Sequence, residues 1–184
     1  MLKIVTVPNK ILNLPVKPVT NFDNRFKNLV KEMEKTLIAQ KDPIGVGLAA
    51  PQIGISQALF IIKPMVKGKT MAFVNPKIVK ISYNQSPTLR SGSVKSAKTK
   101  KTKLEGCLSI PRIWGPVRRN NKVLLEYQTV EGVKKQEWFS GFEAIIIEHE
   151  VDHLQGILFT QRALEQKTPI YEEKNGKLKP VEIG

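Results

Sequence analysis

Cysteine is nearly absent: Cys107 is the sole thiol among 184 residues. That excludes an internal disulfide framework and agrees with a reducing compartment. Imidazole is almost as scarce, since His149 and His153 are the only histidines. No apolar run is long enough to cross a bilayer as a helix, and Met1-Leu2-Lys3-Ile4-Val5 is too short for a secretory signal core. A cytoplasmic setting without a membrane partner is therefore expected; an organelle reached after removal of a transit peptide stays open. Acid is the under-represented charge, 16 Asp and Glu against 30 Lys and Arg, for a net charge of +14. Such a surface either attracts polyanions such as RNA or the ribosome, or serves solubility alone; nothing points to DNA.

The length fits one domain over 1–184, and 41% hydrophobic residues suffice for a core. Phe26, Leu29, Val30, Met33, Leu37 and Ile38 recur at three- and four-residue steps, which predicts a helix over 24–40. Asp23 or Asn21 can cap it, and Asp42-Pro43 closes it. A glycine-punctuated loop follows over 45–54, then strands over 58–63 and 71–75. The stretch 82–103 is rich in Ser, Thr and Lys, has no acid from Asn84 through Lys103, and reads as a basic surface insertion. Residues 122–130 and 133–139 predict a hairpin around Glu131-Gly132. Ser140-Gly141-Phe142-Glu143 has the form of a capping box opening a helix that ends at Gly156. The helical pattern fades beyond Arg162. Ile170-Tyr171 and Leu178 to Ile183 flank Asn175-Gly176, so the end should be extended or stranded, without a long terminal helix.

The chemistry concentrates in His149-Glu150-Val151-Asp152-His153. On a helix, positions four apart share a face, so two imidazoles can hold one metal ion while the adjacent glutamate handles the protons of a water. Phe142, Ile145, Ile146, His149 and His153 form one stripe; Ala144, Ile147, Val151 and Leu154 lie opposite, leaving only Glu148, Asp152 and Gln155 as a polar strip. A helix apolar on both sides is buried. A buried, unpartnered Glu150 would be costly, and a nearby cation is a natural partner. A third ligand is needed. Glu165, Glu172 and Glu173 qualify by type downstream; upstream, Cys107 lies between Gly106 and Pro111 in a shaped segment, and its thiolate suits zinc or ferrous iron.

Taken together, Gly45-Val46-Gly47-Leu48-Ala49-Ala50-Pro51-Gln52, Glu105-Gly106-Cys107-Leu108-Ser109 and His149-Glu150-Val151-Asp152-His153 resemble, in order and spacing, the three signature motifs of the peptide deformylase family. The likeness runs from the first helix to about Leu164. It implies hydrolysis of the formyl group from the N-terminal formylmethionine of new bacterial or organellar polypeptides. It also implies one divalent ion on Cys107, His149 and His153, usually Fe2+, with Zn2+, Ni2+ or Co2+ as substitutes. By the same likeness Glu150 carries the protons, and the Gln52 amide and Leu108 N–H stabilise the oxyanion. Phe142, Ile145 and Ile146 form the methionine pocket, with Val46 a further wall. The bare backbone at Gly45 and Gly47 lets an extended substrate approach. Glu105, close to Cys107, would orient a ligand while paired with Arg118 or Arg119, the family pattern favouring Arg119. Asp152 either holds a ligand histidine or sits on the polar strip.

Two departures stand out. Trp114 precedes Gly115-Pro116-Val117, where many relatives carry arginine, and the insertion precedes Leu104. Two other readings compete: a zincin-type endoprotease with a downstream third ligand, and a basic ribosome- or RNA-binding module with a structural metal. The expected fold is α+β, a buried central histidine helix packed among antiparallel sheets with the first helix outside.

Overall fold

The computed structural model describes residues 1–65, 68–82 and 104–181. The first helix, α1 (Asn24–Ala39), opens on Asp23, whose carboxylate accepts from Phe26 N at 2.8 Å. This satisfies an amide the helix itself leaves unpaired. The segment expected as a loop is structured: β1 (Gly47–Ala49) runs into a 3-10 turn (Ala50–Ile53) that ends on left-handed Gly54. Next come β2 (Leu59–Ile62), β3 (Met71–Ile81), β4 (Glu105–Cys107), β5 (Ile110–Gly115), β6 (Lys122–Gln128) and β7 (Lys134–Ser140). Helices α2 (Phe142–Leu154) and α3 (Phe159–Glu165) precede β8 (Tyr171–Lys174) and β9 (Lys177–Pro180).

These form two antiparallel sheets, in the orders β1-β2-β3-β6-β7 and β4-β5-β8-β9. The architecture is α+β, as expected. All four residues of β2 are buried, because a helix covers each face of its sheet and period-two alternation divides the side chains between them. Leu59 and Ile61 join Met33 and Leu37 of α1; Phe60 and Ile62 join Ile146, Ile147 and Val151 of α2. Each fully buried side chain of this kind contributes roughly 1.5–3 kcal/mol. Phe60 stacks on Phe73 with ring centroids 4.9 Å apart.

Several boundaries differ from expectation for identifiable reasons. Strand β3 runs past Asn75 to Ile81, because Asn75 (φ 49°) and Pro76 form a bulge where the register shifts between Val74 and Lys77. A bulge admits a proline that lacks the ladder N–H. Asn75 is held there by Val19, accepting from its N–H and donating to its carbonyl, both at 2.8 Å. The capping box at Ser140 does not form. Ser140 is still paired to Lys122 in β7, so α2 starts a residue later on Gly141 with no side-chain cap. The predicted β6–β7 turn and terminal hairpin do form; Gly132 has φ 83°, and Asn175 and Gly176 have φ 52° and 71°. Of the basic insertion, 83–103 lies outside the described residues.

Helix α2 packs on β1, β2 and β7. Ala144, Ile146, Ile147, Glu150, Val151, Asp152, His153 and Leu154 are all buried, as a helix apolar on opposite sides requires. Gly156 (φ 74°) ends the helical run, where a β-carbon would fall 2.6 Å from the Asn13 carbonyl carbon. No side chain fits, so the helix end can pack directly on the backbone of the N-terminal segment.

Candidate active site

Strand β4 and helix α2 bring Cys107, His149 and His153 together, with one potential ligand atom from each lying within 4.8 Å of the others. The imidazole rings are 5.0 Å apart at 77°, the result of the four-residue step on α2. Cys107 Sγ is 3.2 Å from His153 Nε2. The pairing shift that leaves Gly106 opposite Trp114 but Cys107 opposite Ile110 bends the strand at the thiol. The downstream glutamates are engaged elsewhere: Glu165 with Arg162, Glu172 with Lys174 and Glu173 with Trp114. Among the described residues, the third ligand the structure offers is Cys107.

Behind the ligands runs a chain of charge. Glu105 is 3.1 Å from His149 Nδ1, which leaves His149 Nε2 as its ligating atom, and accepts from Arg119 Nε and Nη2 at 2.9 and 3.1 Å. Burial pushes the Glu105 carboxyl up, but the His149 and Arg119 hydrogen bonds outweigh it and hold the pKa below the usual value. Arg119 continues to Asp152 at 2.5 Å, and Asp152 to Arg162 at 2.7 Å. Arg119 is thus Glu105's partner, as the family pattern implies. Asp152 makes no hydrogen bond to a ligand imidazole; it sits on the polar strip with Glu148 and Gln155, is itself buried, and joins two arginines.

Glu150 is 2% exposed, and its Oε2 has no hydrogen-bond partner among the described residues. Burial raises its pKa to about 7, the range suited to taking and returning a proton at neutral pH. Gly47 makes room for it, since a β-carbon there would lie 2.2 Å from Glu150 Oε1. Gln52 is equally buried. Its Oε1 accepts from Ala49 N at 2.8 Å, which turns the amide so that Nε2 points to Cys107 Sγ at 3.4 Å. A donor is thereby aimed at the ligand cluster.

The donor set suits a cation. It supplies one sulfur and two imidazole nitrogens, with an unpartnered carboxylate oxygen alongside. Burial opposes charge on His149, yet the hydrogen bonds it donates to Cys107 and Glu105 raise its pKa well above the usual imidazole value. Burial and the His149 charge hold His153 well below it.

A cleft of about 380 Å³ opens onto this cluster. Gly45, Val46, Gly47, Gln52, Cys107, Leu108, Phe142, Ile145, Ile146, His149 and Glu150 all line it, so it gathers every expected site residue except the deeper His153. Strand β1 has β2 on one side only. The Val46 carbonyl accepts from Lys63, so by antiparallel alternation Gly47 directs its amide and carbonyl to the open edge. Pro43, Ile44, Leu104, Gly106 and Trp114 also line the cleft and were missed as site residues. Adjacency to the first two motifs was a usable signal for all but Trp114, which was marked only as a departure. A larger cavity, about 560 Å³, lies across α2 beside Lys77, Arg118, Glu148 and Arg162; it contains none of the three ligating groups.

Fold and site together define an α+β protein of the metallohydrolase type, with a Cys-His-His centre beside a buried glutamate. The profile of the polypeptide deformylase family matches residues 1–169. A peptide deformylase of Dictyoglomus turgidum is 34% identical over 174 residues, covering 95% of this chain and 99% of the relative. That of Borreliella burgdorferi is 34% identical over 181 residues, covering 97% and 94%. The structure of a class I type b peptide deformylase from Acinetobacter baumannii superimposes with a TM-score of 0.74 at 32% identity, covering 88% of this chain and 97% of that one. The chain belongs to the polypeptide deformylase family.

Proposed function

We propose that the protein is a metal-dependent amide hydrolase that removes the formyl group from the N-terminal formylmethionine of newly made polypeptides and releases formate. The observation that carries this is the convergence of Cys107, His149, His153, Glu150 and Gln52 at one cleft. Cys107, His149 and His153 would hold one divalent ion, Fe2+ by the soft-leaning donor set and family likeness, with Zn2+, Ni2+ or Co2+ able to replace it. Such an ion supplies Lewis acidity, acidifying water and polarising the formyl carbonyl.

The chain's own groups do the rest. Glu150 takes a proton from the attacking water and returns it to the leaving amine; its desolvated carboxyl is tuned for both transfers. Gln52 Nε2 and the Leu108 N–H donate to the oxygen that gains charge, with each such donor worth about 3 kcal/mol. Ile145, Ile146, Phe142 and Val46 wall an apolar pocket for the methionine side chain. The open edge of β1 at Gly47, with Gly45 just before the strand, pairs with the extended peptide.

Residues 1–184 form one catalytic domain, with a basic insertion at about 82–103. The excess of positive charge supports ribosome association in the cytoplasm, where the substrate emerges. The decisive test is formate release from a formyl-Met peptide under anaerobic conditions, comparing the ferrous and zinc forms. Turnover with loss of activity in Glu150→Gln is expected; no turnover with either metal refutes the reading.

A further inference from the structure

Trp114 is held from three directions. Its six-membered ring covers Gly106 so closely that a β-carbon there would fall 2.6 Å from Cζ3. Its indole nitrogen donates to Glu173 Oε2 at 3.0 Å. Its backbone pairs with Tyr171 in the β5–β8 ladder. The ring nonetheless lines the cleft that holds the ligand cluster, and the residue keeps partial exposure. Two other cleft residues, Ile44 and Phe142, are 60% and 48% exposed, so the accessible rim is apolar. Tyr171 and Glu173 belong to the β8–β9 hairpin, which lies beyond the family-matched stretch 1–169.

We propose that Trp114, clamped by this terminal hairpin through Glu173, is a specificity-determining residue. It offers a fixed aromatic surface that favours peptides with an aromatic side chain at one of the two positions after the methionine. The inference rests on the deformylase reading above. If the methionine side chain occupies the wall formed by Ile145 and Ile146, the following residues leave the cleft across its rim. A ring already immobilised loses little freedom on contact, so an aromatic partner gains about threefold to tenfold in kcat/KM over a small one. Glu173 is a positioning residue that acts only through the indole.

The experiment measures kcat and KM for formate release from formyl-Met-Ala-Ala, formyl-Met-Phe-Ala and formyl-Met-Ala-Phe. The wild type, Trp114→Ala, Trp114→Phe, Glu173→Ala and Glu173→Gln are compared. The wild type is expected to prefer one Phe peptide by about threefold to tenfold, mainly through KM. Trp114→Ala brings that ratio near one, and Trp114→Phe keeps most of it. Glu173→Ala lowers it, and Glu173→Gln, which keeps an oxygen acceptor, restores it. Each ratio is internal to one variant, so partial loss of folded protein cancels. Turnover of all three peptides with a wild-type ratio near one, or a preference unmoved by Trp114→Ala, overturns the inference. Failure of the wild type to turn over any peptide overturns instead the activity on which it rests.

Discussion

Replacing Gly47 by alanine would place a methyl group 2.2 Å from Glu150 Oε1, 2.8 Å from its carboxyl carbon and 2.9 Å from Ile146 Cγ2. The backbone itself tolerates alanine, because Gly47 is not in the left-handed region. The strain therefore falls on the carboxylate. Ordinary contact begins near 3.4 Å, so Oε1 must retreat by about 1.2 Å, and α2 behind it is too well packed to follow. A misplacement of that size at a reacting group costs about 100-fold in kcat, or about 2.7 kcal/mol of transition-state stabilisation. The assay is steady-state formate release from a formyl-Met peptide, with bound metal quantified on the same preparation. The expected result is a kcat reduced about 100-fold at an unchanged metal stoichiometry, because the three atoms nearest the added methyl group belong to Glu150 and Ile146 and not to a ligand. Wild-type kcat would refute the placement of Glu150. Loss of metal in parallel with kcat would refute the claim that the damage is confined to the carboxylate. Gly45 provides a contrast, since a β-carbon there meets Leu37 Cδ1 at 2.7 Å and the Leu37 carbonyl at 2.9 Å. Gly45→Ala pushes on α1 and is expected to destabilise by about 1–3 kcal/mol, read as a fall in Tm.

Glu150→Gln is close to isosteric and should lower kcat by about 100-fold or more with metal retained; metal loss would instead point to a structural role. Cys107→Ala removes the sulfur donor, and metal content after dialysis should collapse; full retention would revive a third ligand from elsewhere. Gln52→Ala removes the donor aimed at the site, for a fall of about 100-fold in kcat. It also strands the Ala49 N–H, for about 1–3 kcal/mol of stability, so kcat and denaturant midpoint should drop together. Arg119→Leu leaves Glu105 and Asp152 facing each other's side of the network without their shared cation. Destabilisation of about 3–5 kcal/mol and metal affinity weakened about 10- to 100-fold in chelator competition are expected.

The parts of the site legible in sequence were those with local periodicity or a dense motif. His149 and His153 share a helix face because of a four-residue step, and α2 is buried because apolar residues occupy opposite sides of it. The terminal hairpin was legible from Asn175-Gly176, whose positive φ angles suit a tight turn. The Ser140 capping box failed because its local signal competed with strand pairing to Lys122, which no local pattern reveals. Asp152 was ambiguous for a related reason: its partners are Arg119 and Arg162, 33 and 10 residues away.

The sequence by itself determined the chemistry available to this protein: two imidazoles one helical turn apart, one thiol, and a glutamate directly after the first imidazole. Those assignments follow from backbone periodicity and from scarcity, both of which are properties of the chain. Tertiary structure alone decided how these groups are tuned. The bend in β4 aims Cys107 at α2, and the bare Cα of Gly47 lets the Glu150 carboxylate sit against β1. The Ala49 amide turns Gln52, and the final hairpin fixes Trp114 at the cleft. Each of these depends on a contact between segments distant in sequence, where desolvation, steric exclusion and hydrogen-bond direction act through space and leave no periodic trace along the chain.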